Sequence, residues 1–321
     1  MTGLSEAGRQ VLDAGRFCYL SATTEHGPHV TPVVFVFDGN SVWATTARGT
    51  AKARAWKSDP TCAGLVLHGG KAVAFRGTVA RFDALDTSTW SAGIRRAPDL
   101  MRATVRYTLK NARYFAGYAR DIRNLPLSWT PPARLIISVE LEAAVVLDLE
   151  MGTVEDKWGR WGNRTAGRTI FRLLRGSELP GESSFREVRK GLGSSGPGAL
   201  ALQGSAGRVV LPAAWARAAS EGAYYAVLPR SFLSLAGASP GSAGALVADR
   251  TSPWRAARMR GVLLQGEPEV FVPGDLRSGR AALLAKAARG GPLPSDPAVV
   301  RLRPHRVMWW KGWASGTVRR R

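Results

Sequence analysis

Three short apolar runs near the start of the chain are separated only by tight-turn signals, and this spacing constrains the fold most. The runs cover residues 17–23, 30–37 and 42–46. The segments between them, Glu25-His26-Gly27-Pro28 and Asp38-Gly39-Asn40, favour hairpin turns. The pattern predicts an antiparallel β-meander. Both alternating sets of positions in 30–37 are apolar, so we expect both faces of that strand to be covered.

A helix is predicted to interrupt the strands directly after the third run. Thr50 is a suitable N-cap for residues 50–58, and Asp59-Pro60 ends the helix. Strands are expected again at 62–68 and 72–82, and a leading helix at 5–14 precedes the meander. Residues 86–120 have a helical pattern, and a strand pair at 135–139 and 143–147 closes the unit. We therefore predict a first domain over residues 1–150.

The remainder of the chain is predicted to hold a second β-rich domain. Residues 151–197 are expected to form a linker with short helices at 165–174 and 183–190. In the second domain, residues 198–321, strands are expected at 199–202, 208–211, 224–228 and 232–236. Residues 258–263 echo 74–79, and 299–310 echo 137–148, which indicates a diverged internal repeat. The two halves are expected to pack as an intramolecular pseudo-dimer.

The start of the predicted helix at Thr50 has the features of a phosphate site. Its first turn, Thr50-Ala51-Lys52, combines free backbone N–H groups with a full positive charge. Thr45 and Thr46 end the preceding strand and Thr31 lies on its hairpin partner, so we expect these hydroxyls to converge as further donors. The alternative is that Thr50 only caps a surface helix and that Lys52 is solvated.

The order of these features resembles the pyridoxamine 5′-phosphate oxidase-like, FMN-binding split-barrel family. The matching features are the hairpin residues Gly27, Pro28, Pro32, Val33 and Phe35, the Thr-Thr strand end, the Thr-x-Lys helix start and the Asp-Pro stop. The resemblance implies a mainly β, α+β fold with two split β-barrel domains in tandem, the second diverged. It also implies an oxidoreductase in which the cofactor transfers hydride and the protein positions it.

The resemblance further assigns a cofactor-binding role to specific residues and leaves the cofactor open. Two positions depart from the oxidase pattern: Thr31 and Ala51 each stand where that enzyme has an Arg, which argues against pyridoxamine phosphate oxidation. FMN and an 8-hydroxy-5-deazaflavin coenzyme are both compatible, the latter with a basic groove of Arg48, Arg54 and Lys57, and haem is less favoured. The expected cofactor-binding residues are Thr31, Pro32, Val33, Ala44, Thr45, Thr46, Thr50, Ala51 and Lys52.

The second half is expected to cover the cofactor rather than hold another. It has no Thr-x-Lys after its third strand, where Ala236-Gly237-Ala238-Ser239 stands instead. Trp309, Trp310, Lys311 and Trp313 are candidates for covering the flavin ring, although a core role is favoured for them. No catalytic side chain is nominated.

The charge and hydropathy of the chain limit the classes of binding partner that we expect. The formal charge of +21 favours phosphorylated or polyanionic partners, but the basic residues are scattered, which argues against specific nucleic-acid recognition. No apolar run is long enough for a membrane span and no leader pattern is present, so we expect a cytoplasmic protein with no membrane partner. The expected partner is a small-molecule substrate, and the chain is a monomer or a homodimer.

Several other motifs are not expected to carry function. Gly191 to Gly196 fits GxGxxG but lacks the strand and helix that a dinucleotide site needs. Gly237 to Gly241 fits GxSxG around Ser239, where Pro240 argues for a loop rather than a nucleophile elbow. His26 and His29 are expected to be exposed hairpin residues, and Cys18 and Cys62 to be buried structural thiols, with no metal site.

Two function classes follow from these expectations. The favoured one is an FMN- or deazaflavin-dependent oxidoreductase that transfers hydride between the cofactor and a small organic substrate. The alternative is a non-catalytic flavin- or haem-binding split-barrel protein.

Overall fold

The computed structural model describes residues 3–121, 123, 133–161, 183–204, 207–237, 243–252, 254–271 and 294–319. Strands dominate these residues and form two antiparallel seven-stranded sheets. None of the helices in the described ranges is long and apolar enough to span a bilayer.

The first half begins with a helix and continues as a β-meander. The leading helix α1 covers Glu6–Ala14 and is capped by the Ser5 side chain. The strands are β1 Phe17–Thr24, β2 Gly27–Asp38, β3 Ser41–Ala47, β4 Thr61–His68, β5 Lys71–Phe82, β6 Arg134–Asp148 and β7 Thr153–Gly159. Helix α2, Ala51–Ser58, lies between β3 and β4, and helices α3 Trp90–Arg95, α4 Ala97–Lys110 and α5 Ala112–Arg120 follow β5.

The strands of this first sheet run in the order β3-β2-β1-β4-β5-β6-β7, and β3 also pairs with β6. That additional pairing closes six strands into a barrel, with β7 added outside the closure. The meander predicted from the turn signals is confirmed.

The second half repeats this arrangement strand for strand. After helix α6, Ser183–Leu192, the strands are β8 Ser195–Gly204, β9 Gly207–Ala218, β10 Ala223–Pro229, β11 Ala243–Arg250, β12 Arg260–Phe271, β13 Pro297–Lys311 and β14 Ala314–Arg319. Their order is β10-β9-β8-β11-β12-β13-β14, closed by a β10–β13 pairing. The expectation of two tandem split barrels is therefore confirmed, and each strand of one barrel has a counterpart in the other.

Three sequence expectations differ from the structure in detail. The pair expected at 135–139 and 143–147 is one strand, β6, because a bulge at Glu142 lets the chain bend without a turn. Residues 232–236 are not a strand: the short helix α7, Arg230–Leu233, runs into a 3-10 turn. Residues 153–159, expected within the linker, pair with β6 as β7.

The division of the chain at residues 150 and 198 stays a prediction. The helix expected at 165–174 and the GxSxG loop around Ser239 lie outside the described residues. The GxGxxG segment runs from the end of α6 into β8, so it lacks the strand-to-helix context of a dinucleotide site.

The β-bulges show which residues of the two barrels are equivalent. In the first barrel the register shifts at Arg76/Gly77 opposite Ala143, and in the second it shifts at Gln265/Gly266 opposite Arg306. A Cβ at either glycine would collide with a strand carbonyl of the partner. Gly266 is therefore the counterpart of Gly77, and the sequence echo that aligned Gly261 with Gly77 was wrong by five positions.

The two barrels pack against each other around a pseudo-twofold axis. Thr23 and its counterpart Gln203 meet, with the threonine hydroxyl 3.4 Å from the glutamine oxygen. Arg76 donates to the carbonyl of Arg208 at 2.7 Å, and its counterpart Gln265 donates to the carbonyl of Pro28 at 2.9 Å. Because Pro28 and Arg208 are equivalent hairpin residues, these two bonds form the reciprocal contacts of an isologous interface.

An apolar core continues across this interface. It joins Val30, Leu65 and Ala74 of the first barrel to Leu200, Val247 and other buried residues of the second. A separate core fills the first barrel and includes Leu20, Phe35 and Trp56. Strand β2 is thus covered on both faces, as predicted for residues 30–37, because Val36 packs under α4 on the outside.

Candidate anion site

Strands β2 and β3 separate where the sequence places most of the expected site residues. They pair only from Phe35–Ala44 to Asp38–Ser41. Before that point, residues 31–34 of β2 pair with β1 alone, and beyond it residues 45–47 of β3 pair with β6 alone. The split leaves two open strand edges facing each other, so Pro32 and Val33 lie on an open edge. Ala44, in contrast, has strand partners on both sides, Phe35 and Ile137.

The expected threonine hydroxyls do not converge on one face. Thr31 lies opposite Leu20, a core residue, and therefore on the inner face of the barrel. Thr46 shares that face with Ala44 and lies 3.1 Å from the Thr50 hydroxyl. Thr45 points outward instead, 3.2 Å from the Tyr107 hydroxyl. The convergence expected from sequence fails because neighbouring residues of a strand face opposite ways.

Helix α2 begins where the sequence predicts, and Thr50 is its N-cap. The Thr50 hydroxyl accepts from the backbone of Ala53 at 3.3 Å and donates to the carbonyl of Ala47 at 2.9 Å. Ala51 and Lys52 supply the first N–H groups of the helix, which have no intrahelical partner. The helix buries Lys52, Ala53 and Trp56 against the barrel core. Lys52 is therefore not the solvated surface residue of the alternative interpretation.

The ammonium of Lys52 is the most unusual group in this part of the barrel. Only 3% of the residue is exposed, and Nζ has no hydrogen-bond partner in the part of the chain that the structure describes. Burial lowers the pKa of Lys52 from 10.5 to about 8, opposed by Cys62 and Cys18 and assisted by Arg134. Nζ lies 5.8 Å from the centroid of the Trp56 ring, a contact that compensates a buried cation only in part.

Buried positive charge also surrounds His29. This residue pairs with Ala22 on the inner face of the barrel, is buried, and has no described partner for Nδ1. Burial, followed by the charges of Lys52, Arg306 and Arg54, lowers the pKa of His29 to about 3. The expectation that His26 and His29 are exposed hairpin residues was wrong for both, because both are buried. We call Lys52, Arg54 and Arg306, together with the neutral His29 on which their charges act, the cationic cluster.

The second half of the chain contributes to this cluster through Arg306, which the sequence did not single out. Arg306 is buried on β13, and its guanidinium donates to the Gln265 side chain at 2.7 Å. Gln265 in turn donates to the carbonyls of Gly27 and Pro28, next to His29. The signal that could have revealed His29 is its place two residues before Thr31 in an otherwise apolar strand. Nothing local marks Arg306, because its position depends on packing between the halves.

Of the predicted basic groove, only Arg54 belongs to the cluster, and it is exposed on α2. Arg48 is held by the Asp83 carboxylate at 2.7 Å, and Lys57 is exposed on α2. Trp309 is buried in the second barrel, Trp310 packs over Gly261, and Trp313 contacts Tyr118 of α5 edge-on. Lys311 pairs with Glu187.

The two cysteines are buried, as expected. Burial raises the pKa of both Cys18 and Cys62, in the second case to about 12. Both thiols therefore stay protonated near neutral pH.

An arrangement of this kind suits an anion. A buried ammonium without a counterion raises the free energy of the protein, and a negatively charged group that enters beside it and the helix N–H groups would offset that cost. A carboxylate partner for Lys52 is absent from the described residues. The residues present therefore fit the phosphate of a phosphorylated cofactor.

The family comparison covers this same region. Residues 5–96 match the family model described as pyridoxamine 5′-phosphate oxidase. This confirms the resemblance seen in the sequence. The matched segment runs from α1 to α3 and so contains β2, β3, α2 and the Lys52 site, but not Arg306. No curated protein matches the chain.

Solved structures with similar folds cover slightly less than half of the chain. They include a FAD-binding protein from Mesorhizobium loti (17% identity, 44% of this chain and 94% of that one, TM-score 0.32). An F420 reductase matches with 19% identity over 44% of this chain and 98% of that one, with a TM-score of 0.30. A pyridoxamine 5′-phosphate oxidase-related, FMN-binding protein from Nostoc punctiforme has 15% identity over 45% and 80%, with a TM-score of 0.31. These likenesses are too distant to bear on the activity of this chain.

Proposed function

We propose that the chain is a flavin- or deazaflavin-dependent oxidoreductase with one cofactor site, located in the split of the first barrel. The observation that carries the proposal is the buried, unpartnered ammonium of Lys52 at the start of α2, within the region that matches the oxidase family. The cofactor, when bound, would supply hydride transfer to or from a small organic substrate.

The residues of the site have binding and positioning roles in this proposal. Lys52 and the first N–H groups of α2 hold the cofactor phosphate, with His29 and Arg306 adding polarity and charge from the neighbouring strands. The open edge at Pro32 and Val33 offers backbone groups to the ring system. Thr45 and Ala44 contribute less directly, since one faces α4 and the other is paired on both sides.

A cofactor titration of the purified protein tests the proposal. FMN, riboflavin, the deazaflavin coenzyme and haem are added separately, and binding is followed by visible absorption. We expect FMN or the deazaflavin coenzyme to bind, and FMN to bind more tightly than riboflavin, which has the same ring without the phosphate. Reoxidation of the bound, reduced cofactor by an added acceptor then distinguishes an enzyme from a carrier.

Two lysine variants on the same helix identify the phosphate contact. Lys52→Ala should weaken FMN binding by about a hundredfold or more and riboflavin binding by little, because a buried charge pair with phosphate is lost. Lys57→Ala, which removes an exposed lysine, should leave both affinities unchanged. Equal loss of FMN and riboflavin binding in Lys52→Ala, or binding of haem alone, would contradict the proposed site.

A further inference from the structure

Exposed apolar side chains are concentrated in one stretch of the first half. Six of the eight large hydrophobic residues exposed in the described parts of the chain lie between positions 85 and 109, and each is at least half exposed. They are Leu85, Trp90, Ile94, Met101, Val105 and Leu109. Scattered exposed apolar residues are normal, but such a concentration marks an interaction surface.

Helix α4 shows how this surface is built. Ala103 and Tyr107 pack inward against the barrel, in a cluster with Trp43 and Phe82. Met101, Val105 and Leu109 follow each other at intervals of four residues and therefore form one stripe along the helix. At about 100° per residue, the mean direction of this stripe is roughly opposite, about 180°, to that of Ala103 and Tyr107. The helix thus presents an apolar ridge directly to solvent, which we call the α4 ridge together with Leu85, Trp90 and Ile94.

Basic residues outnumber acidic ones in the helices that carry the ridge. Between Trp90 and Arg120 the chain has seven basic residues and one acidic residue, Asp99; the basic ones are Arg95, Arg96, Arg102, Arg106, Lys110, Arg113 and Arg120. Arg102 and Arg106 also contact the buried carboxylate of Asp38, which fixes them beside the ridge. Six of the seven are arginines, whose planar guanidinium groups bind phosphate oxygens in pairs.

We propose that the α4 ridge and its arginines form a peripheral binding surface for an anionic phospholipid membrane. Helices with apolar residues on one side and arginines beside them lie in the plane of the headgroups, with the apolar side chains at the acyl boundary. Each basic residue adds attraction to anionic lipids. This proposal replaces the expectation, drawn from the lack of a membrane-spanning run, that the chain has no membrane partner.

A second copy of the chain is a poorer occupant for the same surface. Pairing two α4 ridges would bring the same excess of positive charge together from both sides, in a protein whose formal net charge is already +21. An anionic lipid surface matches the charge of this region.

Vesicle cosedimentation of the full-length protein tests the proposal. Vesicles of phosphatidylcholine alone are compared with vesicles that contain about one quarter phosphatidylglycerol. We expect binding to the anionic vesicles, little binding to the neutral ones, and weaker binding as salt is raised. Absence of binding to the anionic vesicles, or equal binding to both kinds, would overturn the proposal.

A matched pair of methionine variants locates the binding surface. Met101→Glu places a negative charge on the ridge, whereas Met151→Glu makes the same change at an equally exposed methionine in the turn after β6. We expect Met101→Glu to reduce vesicle binding by about tenfold or more and Met151→Glu to leave it nearly unchanged. Both sites are exposed, so neither change should unfold the protein. Equal effects would refute the location, and a concentration-dependent dimer lost only in Met101→Glu would assign the ridge to a second copy instead.

Discussion

The two barrels have the same strand order but carry polar and charged residues at different places. His29 on β2 corresponds to Val209 on β9, and Arg306 on β13 corresponds to Ala143 on β6. After the third strand, the first barrel has α2 with its buried Lys52, whereas the second has α7 with Phe232 buried. All of these residues except Arg54 in the cationic cluster are buried, so the difference is not one between surface and core.

The comparison shows that the barrel fold does not require a buried lysine or histidine at these places. The second barrel has the same topology with Val209 in place of His29 and with Phe232 on the helix that corresponds to α2, and apolar side chains cost nothing to desolvate. A buried lysine without a counterion, in contrast, opposes folding. The buried lysine of the first barrel is therefore consistent with the proposed ligand site, to which the second barrel contributes Arg306.

Transferring a charge into the second barrel should have the largest effect. Phe232→Lys removes a fully buried ring and replaces it with an ammonium that has no partner prepared for it. We expect the free energy of unfolding to fall by about 4 kcal/mol or more, measured by urea unfolding. Phe232→Leu, which keeps the site apolar, should cost much less. If the two variants were equally stable, an unpaired charge at this position would not destabilise the barrel. The absence of charge at this position of the second barrel would then say nothing about why Lys52 is present in the first.

Removing the buried charge from the first barrel should instead raise the free energy of unfolding of the cofactor-free protein. Lys52→Met keeps the length of the side chain and removes the buried ammonium, so the cofactor-free protein should gain about 3 kcal/mol of stability at pH 7, because the pKa of Lys52, about 8, lies well below the ordinary lysine value of 10.5. The same variant should lose FMN affinity. Lys57→Met, on the exposed side of α2, should change neither quantity. A Lys52→Met protein less stable than the parent would show that Lys52 supports the fold.

The stability gain of Lys52→Met should also depend on pH. Below about pH 8 the lysine is protonated in both the folded and unfolded chains, so the full penalty of the buried charge applies. Between about pH 8 and 10.5 the folded protein releases its proton first, and the difference between the two proteins should shrink by about 1.4 kcal/mol per pH unit. Unfolding of both proteins at several pH values measures this. A constant difference across that range would mean that Lys52 is not the titrating group.

Local signals explain which parts of this comparison could be predicted from sequence. The hairpins of the first meander and the Thr50 cap of α2 depend on neighbouring residues and were predicted to within a few positions. The bulge at Glu142 was missed because it depends on the pairing of β6 with β5, and it has no turn residues of its own. The outward direction of Thr45 was missed because the sequence shows the alternation of a strand but not which set faces inward.

The site itself was predictable only where it is local. Lys52 was found through the helix start, but His29 was assigned to an exposed turn, and Arg306 and Gln265 were not considered. These residues join the site through contacts more than two hundred positions apart in the chain. A sequence repeat as diverged as this one does not reveal such contacts. The sequence similarity aligned Gly261 with Gly77, whereas the structure aligns Gly266 with Gly77, so equivalent positions in the two halves could not be identified from sequence.

Breaking the reciprocal hydrogen bonds between the halves should have the smallest effect on stability. It should also distinguish the side of the interface that contains the cationic cluster from the equivalent side that does not. Gln265→Ala removes the donor to Gly27 and Pro28, and Arg76→Ala removes the equivalent donor to Arg208, so each should cost about 1–2 kcal/mol in urea unfolding. Only Gln265→Ala also frees Arg306 from its partner next to His29. We therefore expect FMN affinity to fall several-fold in Gln265→Ala and to stay unchanged in Arg76→Ala.

Gln265→Glu, which would pair with Arg306 but place a negative charge beside the cluster, should weaken FMN binding further without losing the contact to Arg306. If Gln265→Ala and Arg76→Ala affected FMN equally, Gln265 would only join the halves, and the two sides of the pseudo-twofold would be functionally alike.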